Sequence, residues 1–206
     1  SFFNNSSYKK TLPINYNLEY NSNHPYKRNN GSMIPNKGFQ QLLSFGIYAE
    51  IGHLSVQLKP EYLYAENLYF QRFWTDHQLF PLDKRFNYWN SIDTPERFGE
   101  KQYSRLLPGQ SSIRFNYKKL SLGFSTENIW WGPATRNSIM MSNNARGFPH
   151  ITFNTTSPIK TSIGNFEFQL ISGKLEGSGY KPSYTNFYNY NEYFYEPKNE
   201  DWRYFQ

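Results

Sequence analysis

The densest group of side chains able to recognise a sugar lies between residues 127 and 150. Two adjacent tryptophans offer flat apolar rings that stack on sugar faces. A pair of asparagines supplies hydrogen-bond donors and acceptors for hydroxyl groups, and two arginines can clamp carboxylates bidentately. The predicted polysaccharide-binding residues are therefore Trp130, Trp131, Arg136, Asn143, Asn144 and Arg146.

The same residues also suit a purely structural loop. In that interpretation the tryptophan pair anchors the loop, and the asparagine pair satisfies backbone groups that would otherwise be buried without partners. The Gly132-Pro133 step, which forces a turn directly after the rings, fits both interpretations.

Other groupings of reactive side chains do not predict catalysis. A glycan-cleaving enzyme needs two carboxylates flanking a cleft, and nothing in the sequence pairs the four candidate glutamates. There is no Gly-x-Ser-x-Gly elbow for a hydrolase, and the histidines lack metal-ligand spacing. We therefore expect no enzymatic activity, no cofactor and no metal. The glutamates considered as catalytic carboxylates are Glu61, Glu127, Glu167 and Glu176, and the histidines considered as metal ligands are His24, His53, His77 and His150.

The elements that carry these residues are predicted to be strands. Residues 45–58 and 113–124 alternate strictly between apolar and polar side chains, with short turns at Gly52-His53 and Lys118-Lys119. A weaker pair of strands covers residues 151–153 and 166–170. In a barrel the apolar set faces lipid and the polar set faces the lumen. A one-residue shift in strand register would turn every side chain to the opposite face, so all these assignments stand or fall together. The predicted lumen-facing charged residues are Glu50, Lys59, Arg114 and Lys118; the predicted lipid-facing residues are Ile47, Ile51, Val56, Leu58, Ile113, Phe115, Leu122 and Phe124.

The rest of the chain is predicted to be loop. Residues 1–40 are polar and broken by proline and glycine, which indicates an extended or loop segment before the barrel strands of residues 41–206. Long loops are expected at residues 66–110, with some short strands or helical turns, and at residues 127–147. Short turns alternating with long loops are typical of outer-membrane barrels.

Composition favours the same fold class. Aromatic residues make up 20% of the chain, yet mean hydropathy is -0.80, a mixture that membrane strands with one lipid face and one lumen face explain. There are no cysteines, and no apolar run is long enough for a transmembrane helix. The net charge of +6 is scattered; it fits ordinary solubility or attraction to anionic sugar or phosphate groups, and no nucleic-acid partner is expected.

The segment from residue 127 to 150 resembles the signature of the capsule-assembly Wzi family, with Trp-Trp-Gly-Pro followed by Ser-Asn-Asn-Ala-Arg. Weaker blocks keep the family order at residues 21–31, at Lys59-Pro60-Glu61 with Asn67, and at residues 164–175. The resemblance implies an antiparallel transmembrane β-barrel in the bacterial outer membrane that handles surface polysaccharide without catalysis. It also implies a barrel on the order of 16–18 strands, of which this chain covers roughly half.

Two other functions fit the same residues. A soluble carbohydrate-binding β-sandwich would show the same aromatic content and alternation. An accessory subunit of an outer-membrane secretion or glycan-uptake complex would keep the barrel while binding protein. The expected partners are acidic capsular or surface polysaccharide, outer-membrane lipid and other outer-membrane proteins.

Overall fold

A computed structural model describes residues 7–71, 93–180 and 202–205. This part of the chain is built from twelve β-strands, contains no helix, and so has no helix long and apolar enough to cross a membrane. The strands are β1 Ser7–Asn21, β2 Gly38–Ile51, β3 Leu54–Leu58, β4 Glu61–Ala65, β5 Tyr103–Leu107, β6 Ser112–Tyr117, β7 Leu120–Ser125, β8 His150–Thr155, β9 Ile159–Thr161, β10 Gly164–Phe166, β11 Gln169–Lys174 and β12 Trp202–Phe205.

Ten of these strands form one antiparallel sheet, in the order β12-β11-β8-β7-β6-β3-β2-β4-β5 with β1 also paired to β2. Strand β1 covers the whole of one edge of β2, so β3 and β4 share the other edge. They also share one register: Ile47 pairs with Leu58, and three residues earlier in β2, Ser44 pairs with Glu61. Residues 54–65 therefore act as one interrupted strand.

Strands β5 and β6 form the next interrupted strand, because β5 pairs with β4 while β6 pairs with β3. The interruptions face each other, at Lys59-Pro60 and at residues 108–111, where Lys59 and Gly109 form an isolated bridge. When β3 with β4, and β5 with β6, are each counted as one strand, every strand of the sheet pairs with the strand that follows it in sequence. The sheet is an up-and-down antiparallel meander, and in the described residues it stays open, with β1 and β12 at its edges.

The meander has two distinct ends. At the short-turn end, β2 joins β3 through residues 52–53 and β6 joins β7 through residues 118–119, as predicted. At the long-loop end, the connections are residues 22–37, 66–102, 126–149 and 175–201. Alternation of this kind is typical of outer-membrane barrels.

The structure refines three parts of the sequence-based assignment. The segment before residue 41, predicted as extended or loop, contains the fifteen-residue strand β1 and the start of β2. The stretch at 66–110, predicted as a long loop with some short strands or helical turns, contains the short strand β5, and its central residues 72–92 lie outside the described part of the chain. The predicted strand at 166–170 is split, because Phe166 ends β10 and Gln169 begins β11.

The exposure of the two faces of the sheet is the reverse of that in a water-soluble protein, because the apolar side chains are exposed and the polar ones are covered. Phe115 and Leu122 are cross-strand partners on one face, and they are exposed by 52% and 53%. On the other face Arg114 pairs with Gly123, which pairs with Thr152, and Thr152 is fully buried. We call these the apolar face and the polar face.

The residues predicted to point outwards share one face of the sheet by register. Seven of the eight residues predicted to point outwards are exposed, and Val56, which pairs with Ile113 on the same face, is half-buried. That this face contacts lipid stays a prediction. The seven exposed residues are Ile47, Ile51, Leu58, Ile113, Phe115, Leu122 and Phe124.

At the long-loop end the polar face is covered by residues 22–37, which we call the inner segment. Met33 and Ile34 pack into a small core with Leu42 and Leu63, and Leu63 is fully buried. Burying one such side chain stabilises the fold by about 1.5–3 kcal/mol. The Gln40 side chain completes the docking, since its amide accepts from the Ile34 N–H at 2.9 Å and donates to the Ile34 carbonyl at 3.1 Å.

Candidate functional site

The signature loop, residues 126–149, leaves β7 at the long-loop end and is tied to the sheet by Glu127. The Glu127 carboxylate accepts from the Arg114 guanidinium at 2.8 Å, from Gln57 Nε2 at 2.9 Å and from Ser125 Oγ at 2.9 Å. Arg114 and Glu127 have side chains 24% and 28% exposed. A charge-assisted bond in this position is shorter and stronger than a neutral one, so Glu127 fixes where the loop begins.

A second chain of hydrogen bonds starts at the next residue. The Asn128 backbone N–H donates to Gln110 Oε1 at 2.9 Å, and Gln110 Nε2 donates to Asn128 Oδ1 at 2.9 Å and to Glu61 Oε1 at 3.2 Å. Ser32 of the inner segment donates to the other Glu61 oxygen at 2.5 Å. Asn128 Nδ2 also donates to the Ala145 carbonyl at 2.8 Å. The loop, the sheet interruption and the inner segment are therefore connected through the side chains of Asn128, Gln110, Glu61 and Ser32.

The two tryptophans are held by their indole N–H groups. Trp130 Nε1 donates to the Ala134 carbonyl at 2.9 Å, and Trp131 Nε1 donates to Gln169 Oε1 of β11 at 2.8 Å. Trp131 also bridges to Met140 through backbone hydrogen bonds, which closes the loop after the Gly-Pro turn. Both rings are half-buried, so they anchor the loop while each keeps part of its surface open.

The far part of the loop docks against the inner segment. Asn29 is central: its N–H donates to Asn144 Oδ1 and its Nδ2 donates to the Arg136 carbonyl, both at 2.8 Å. The Gly31 N–H donates to the Asn143 carbonyl at 2.7 Å. Arg28 Nη2 adds a bond of 2.6 Å to Asn137 Oδ1. We call this set of contacts the interlock.

The return of the signature loop to the sheet requires a glycine at position 147. A Cβ added there would lie 2.0 Å from the Thr126 carbonyl oxygen, closer than any side chain can approach. The backbone segments at the two ends of the loop are therefore in close contact beside the start of β8.

The polar groups of the loop that remain available to a ligand are cationic. The guanidinium groups of Arg136 and Arg146 are exposed and make no hydrogen bond or ion pair with any other described residue. In the inner segment, Lys27 is half-buried. Burial lowers the pKa of Lys27 to about 8, against the opposing effect of the Glu19 carboxylate.

The structure thus separates the six predicted binding residues. Arg136, Asn143 and Asn144 meet at the interlock, although they meet through two backbone carbonyls and one side-chain oxygen. Trp131 lies on the β11 side, and Trp130 contacts its own loop. Arg146 follows Ala145, whose carbonyl is bound by the loop's first turn.

The four predicted lumen-facing charges also fall into groups. Glu50 and Arg114 lie on the polar face, each paired with Ser55. Lys59 is half-buried between β3 and β4. Lys118 is in the turn between β6 and β7 with φ 54°, and its ammonium group lies 5.4 Å from the centre of a tyrosine ring. Lys118 is therefore a short-turn residue rather than a strand residue of the polar face.

Sequence reasoning missed the amides that hold the site, chiefly Asn29, Gln110 and Asn128. Asn67 is another: it is 1% exposed, and its Nδ2 donates to the Phe98 and Lys101 carbonyls at 2.9 and 2.7 Å. A signal was present for most of them, since all but the glutamine fall within the blocks that resemble the Wzi family. In the described ranges no three His, Asp or Glu side chains lie close enough to hold a metal ion.

The fold and site define a class of protein: a single-layer antiparallel meander with an exposed apolar face, a covered polar face, and polar loops folded over one end. The comparison with protein families then identifies it. The model of the family described as capsule assembly protein Wzi matches residues 19–195, and the chain belongs to that family. Neither a comparison with curated proteins nor one with solved structures gives a match.

Proposed function

We propose that this chain forms part of a β-barrel in the bacterial outer membrane, and that its long-loop end binds acidic capsular polysaccharide without catalysis. The exposed apolar face is the observation that carries the membrane location. Contiguous exposed apolar surface is costly in water, whereas lipid accepts it, and strands can cross a bilayer only when their backbone groups are paired, as in a closed barrel.

A soluble β-sandwich is disfavoured by the same face. A sandwich buries its apolar face against a second sheet. Among the residues that the structure describes, the only other sheet is the two-stranded β9–β10 pair, which is too small to cover the ten-stranded one. Extraction from cells tests this: the barrel needs detergent and migrates differently before and after heating, while a sandwich is recovered in the soluble fraction.

The polysaccharide contact is assigned to the exposed arginines. Indole N–H groups and the Asn144 side chain are already engaged in holding the loop, whereas the guanidinium groups of Arg136 and Arg146 have no partner among the described residues. Guanidinium groups bind carboxylates bidentately, so an acidic sugar is the matching ligand. The open parts of the tryptophan rings provide stacking surface beside them.

The absence of catalysis is supported by the carboxylates at this end of the sheet. Glu127 lies in the loop and Glu61 is joined to it through Gln110, and both carboxylates are bound by structural donors, namely Ser32 and Gln110 for Glu61 and Arg114 for Glu127. A general acid or base must be able to reach substrate, and these groups are held by the fold instead.

Binding of polygalacturonate by detergent-solubilised protein tests the assignment, with dextran as the neutral comparison. An exposed ion pair contributes roughly 0.5–1 kcal/mol, so the double variant Arg136→Gln/Arg146→Gln should lose about 1–2 kcal/mol for polygalacturonate and little for dextran. Salt should shrink the difference. Lys160→Gln is the matched control, because it removes an exposed cation at the opposite end. Equal losses in the control and the double variant would refute the assignment.

A further inference from the structure

The connection between β8 and β11 departs from the other turns at its end of the sheet. The two neighbouring turns have two residues each, whereas this connection spans residues 156–168 and forms the separate antiparallel pair β9–β10. We call this pair the ribbon. Its tip residue Ile163 is 96% exposed and Phe166 is 52% exposed, so the ribbon projects apolar side chains beyond the sheet.

The ribbon is amphipathic. Phe166 pairs with Ile159, and Asn165 pairs with Lys160. Because successive side chains in a strand point to opposite faces, the phenylalanine and isoleucine share one face of the ribbon while the asparagine and lysine share the other. A ribbon with one apolar face and one polar face is suited to lie at the boundary between an apolar and an aqueous phase.

The apolar side of the ribbon continues the apolar face of the sheet. Phe153 lies in the same cross-strand row as the exposed Leu122. The Phe168 ring lies 5.2 Å from the Phe153 ring and 5.8 Å from the Phe166 ring, measured between centroids. A line of three phenylalanines therefore runs from the sheet to the ribbon without interruption.

The base of the ribbon is fixed to the sheet. The Thr155 N–H donates to the Phe168 carbonyl at 3.1 Å, and the Thr156 N–H donates to the Lys119 carbonyl at 2.9 Å. The Lys119 ammonium group donates to the Pro158 carbonyl at 2.7 Å. The ribbon is thus held in a defined direction from the end of the sheet.

The turns at this end carry a small excess of positive charge. Lys118, Lys119 and Lys160 are exposed there, against the exposed carboxylates of Glu50 beside the β2–β3 turn and Glu167 in the connection that forms the ribbon. Lysines at the level of lipid headgroups are attracted to anionic phospholipid, and their stems can lie along apolar surface while the ammonium group stays in water.

We propose that the β9–β10 ribbon is a membrane-interface anchor, which lies with Ile163 and Phe166 in the headgroup region of the leaflet at the short-turn end, on anionic phospholipid. This inference rests on the proposed function, because it extends the lipid-facing surface of the barrel past the ends of its strands. The continuous phenylalanine line and the lysines favour lipid over a protein partner, which would have to cover the ribbon and leave the adjoining sheet face to lipid.

Site-directed fluorescence tests the proposal, since the chain has no cysteine and single cysteines can be labelled without background. Labels are placed at Ile163→Cys on the tip, at Asn165→Cys on the polar face of the ribbon, and at Phe124→Cys on the apolar face of β7. Each protein is reconstituted into phosphatidylethanolamine–phosphatidylglycerol vesicles, and its emission is quenched by spin-labelled lipid or by aqueous cobalt. Heat-modifiable migration confirms that each variant is folded.

The proposal expects lipid quenching and a blue-shifted emission at positions 163 and 124, and cobalt quenching at position 165. Lipid quenching at 124 with cobalt quenching at 163 would overturn the anchor and leave the barrel intact. Cobalt quenching at 124 would overturn the proposed function itself. Shielding of both 163 and 165 from both quenchers would mean that protein covers the ribbon, and would overturn the anchor as well.

Discussion

Replacing Glu127 with glutamine removes the charge that ties the signature loop to the sheet while keeping the shape of the side chain. The carboxylate accepts three side-chain hydrogen bonds, including the 2.8 Å bond from Arg114. Hydrogen bonds to charged groups contribute about 1.5–3 kcal/mol each. Both partners are about a quarter exposed and glutamine can keep one or two of the bonds, so we expect Glu127→Gln to lower the free energy of unfolding by roughly 2–3 kcal/mol.

A double-mutant cycle with Arg114→Gln isolates the pair. Unfolding is followed in detergent by tryptophan fluorescence, with urea as the denaturant. The double variant should be more stable than the sum of the single losses predicts, by about 1–2 kcal/mol, because the second substitution removes a charge that the first has already left unpaired.

The assay also separates bracing from binding. Folded Glu127→Gln protein should bind polygalacturonate as the unmodified chain does, since the carboxylate is directed at Gln57, Arg114 and Ser125 rather than at a ligand. Additive losses in the cycle, or a fall in affinity as large as that of the arginine double variant, would show this reasoning to be mistaken.

Three further perturbations test other parts of the molecule. Leu122→Arg, at a mid-strand position of the apolar face, should cost about 2–4 kcal/mol of unfolding free energy in a bilayer; a change near zero would contradict lipid contact there. Gly147→Ala should cost about 1–3 kcal/mol by forcing the loop away from the Thr126 carbonyl, and proteolysis of the loop should accelerate accordingly. Lys27 has a folded pKa lowered from 10.5 to about 8, so the unfolded state binds more protons between these values and stability should rise across that pH window. Unfolding measured against pH should show this rise in the unmodified chain and lose it in Lys27→Met.

The hairpins and their two faces could be predicted from sequence because the signal is local. Residues 45–58 and 113–124 alternate with period two, and their turns are only two residues long. Pairing across such a turn fixes the register, and the register fixes which side chains share a face. The set of outward-facing residues followed from the register alone, and Val56 differs from the other members only in its degree of exposure.

Strand β1 could not be predicted in the same way. Pro13 lacks a backbone N–H and interrupts the pattern, which locally indicates a break. In the structure the register with β2 shifts between Leu12 and Asn15, so the proline falls within the irregularity. The opposite edge of β1 is unpaired among the described strands, and edge strands tolerate proline. The strand exists because β2 provides a partner along its whole length.

The site was only half predictable, for a similar reason. The sequence shows which residues can bind a sugar, but it does not show which of their atoms the fold has already used. Asn144 illustrates this, since its side-chain oxygen is taken by the backbone of Asn29, a residue 115 positions away. A contact at such separation leaves no periodic trace in either segment.

The interlock explains why the two blocks that resemble the Wzi family contain so many amides. Residues 28–31 and 136–144 belong to different blocks, and they bind each other through backbone groups, amide side chains and the Arg28 guanidinium. Apart from the Arg28 bond, these contacts join neutral groups and carry no charge preference. The exposed guanidinium groups of Arg136 and Arg146 depend on that frame without contributing to it. In the proposed function, glutamine at both positions therefore removes the preference for acidic over neutral glycans while the loop keeps its fold, so selectivity can change through two side chains without any change in the architecture.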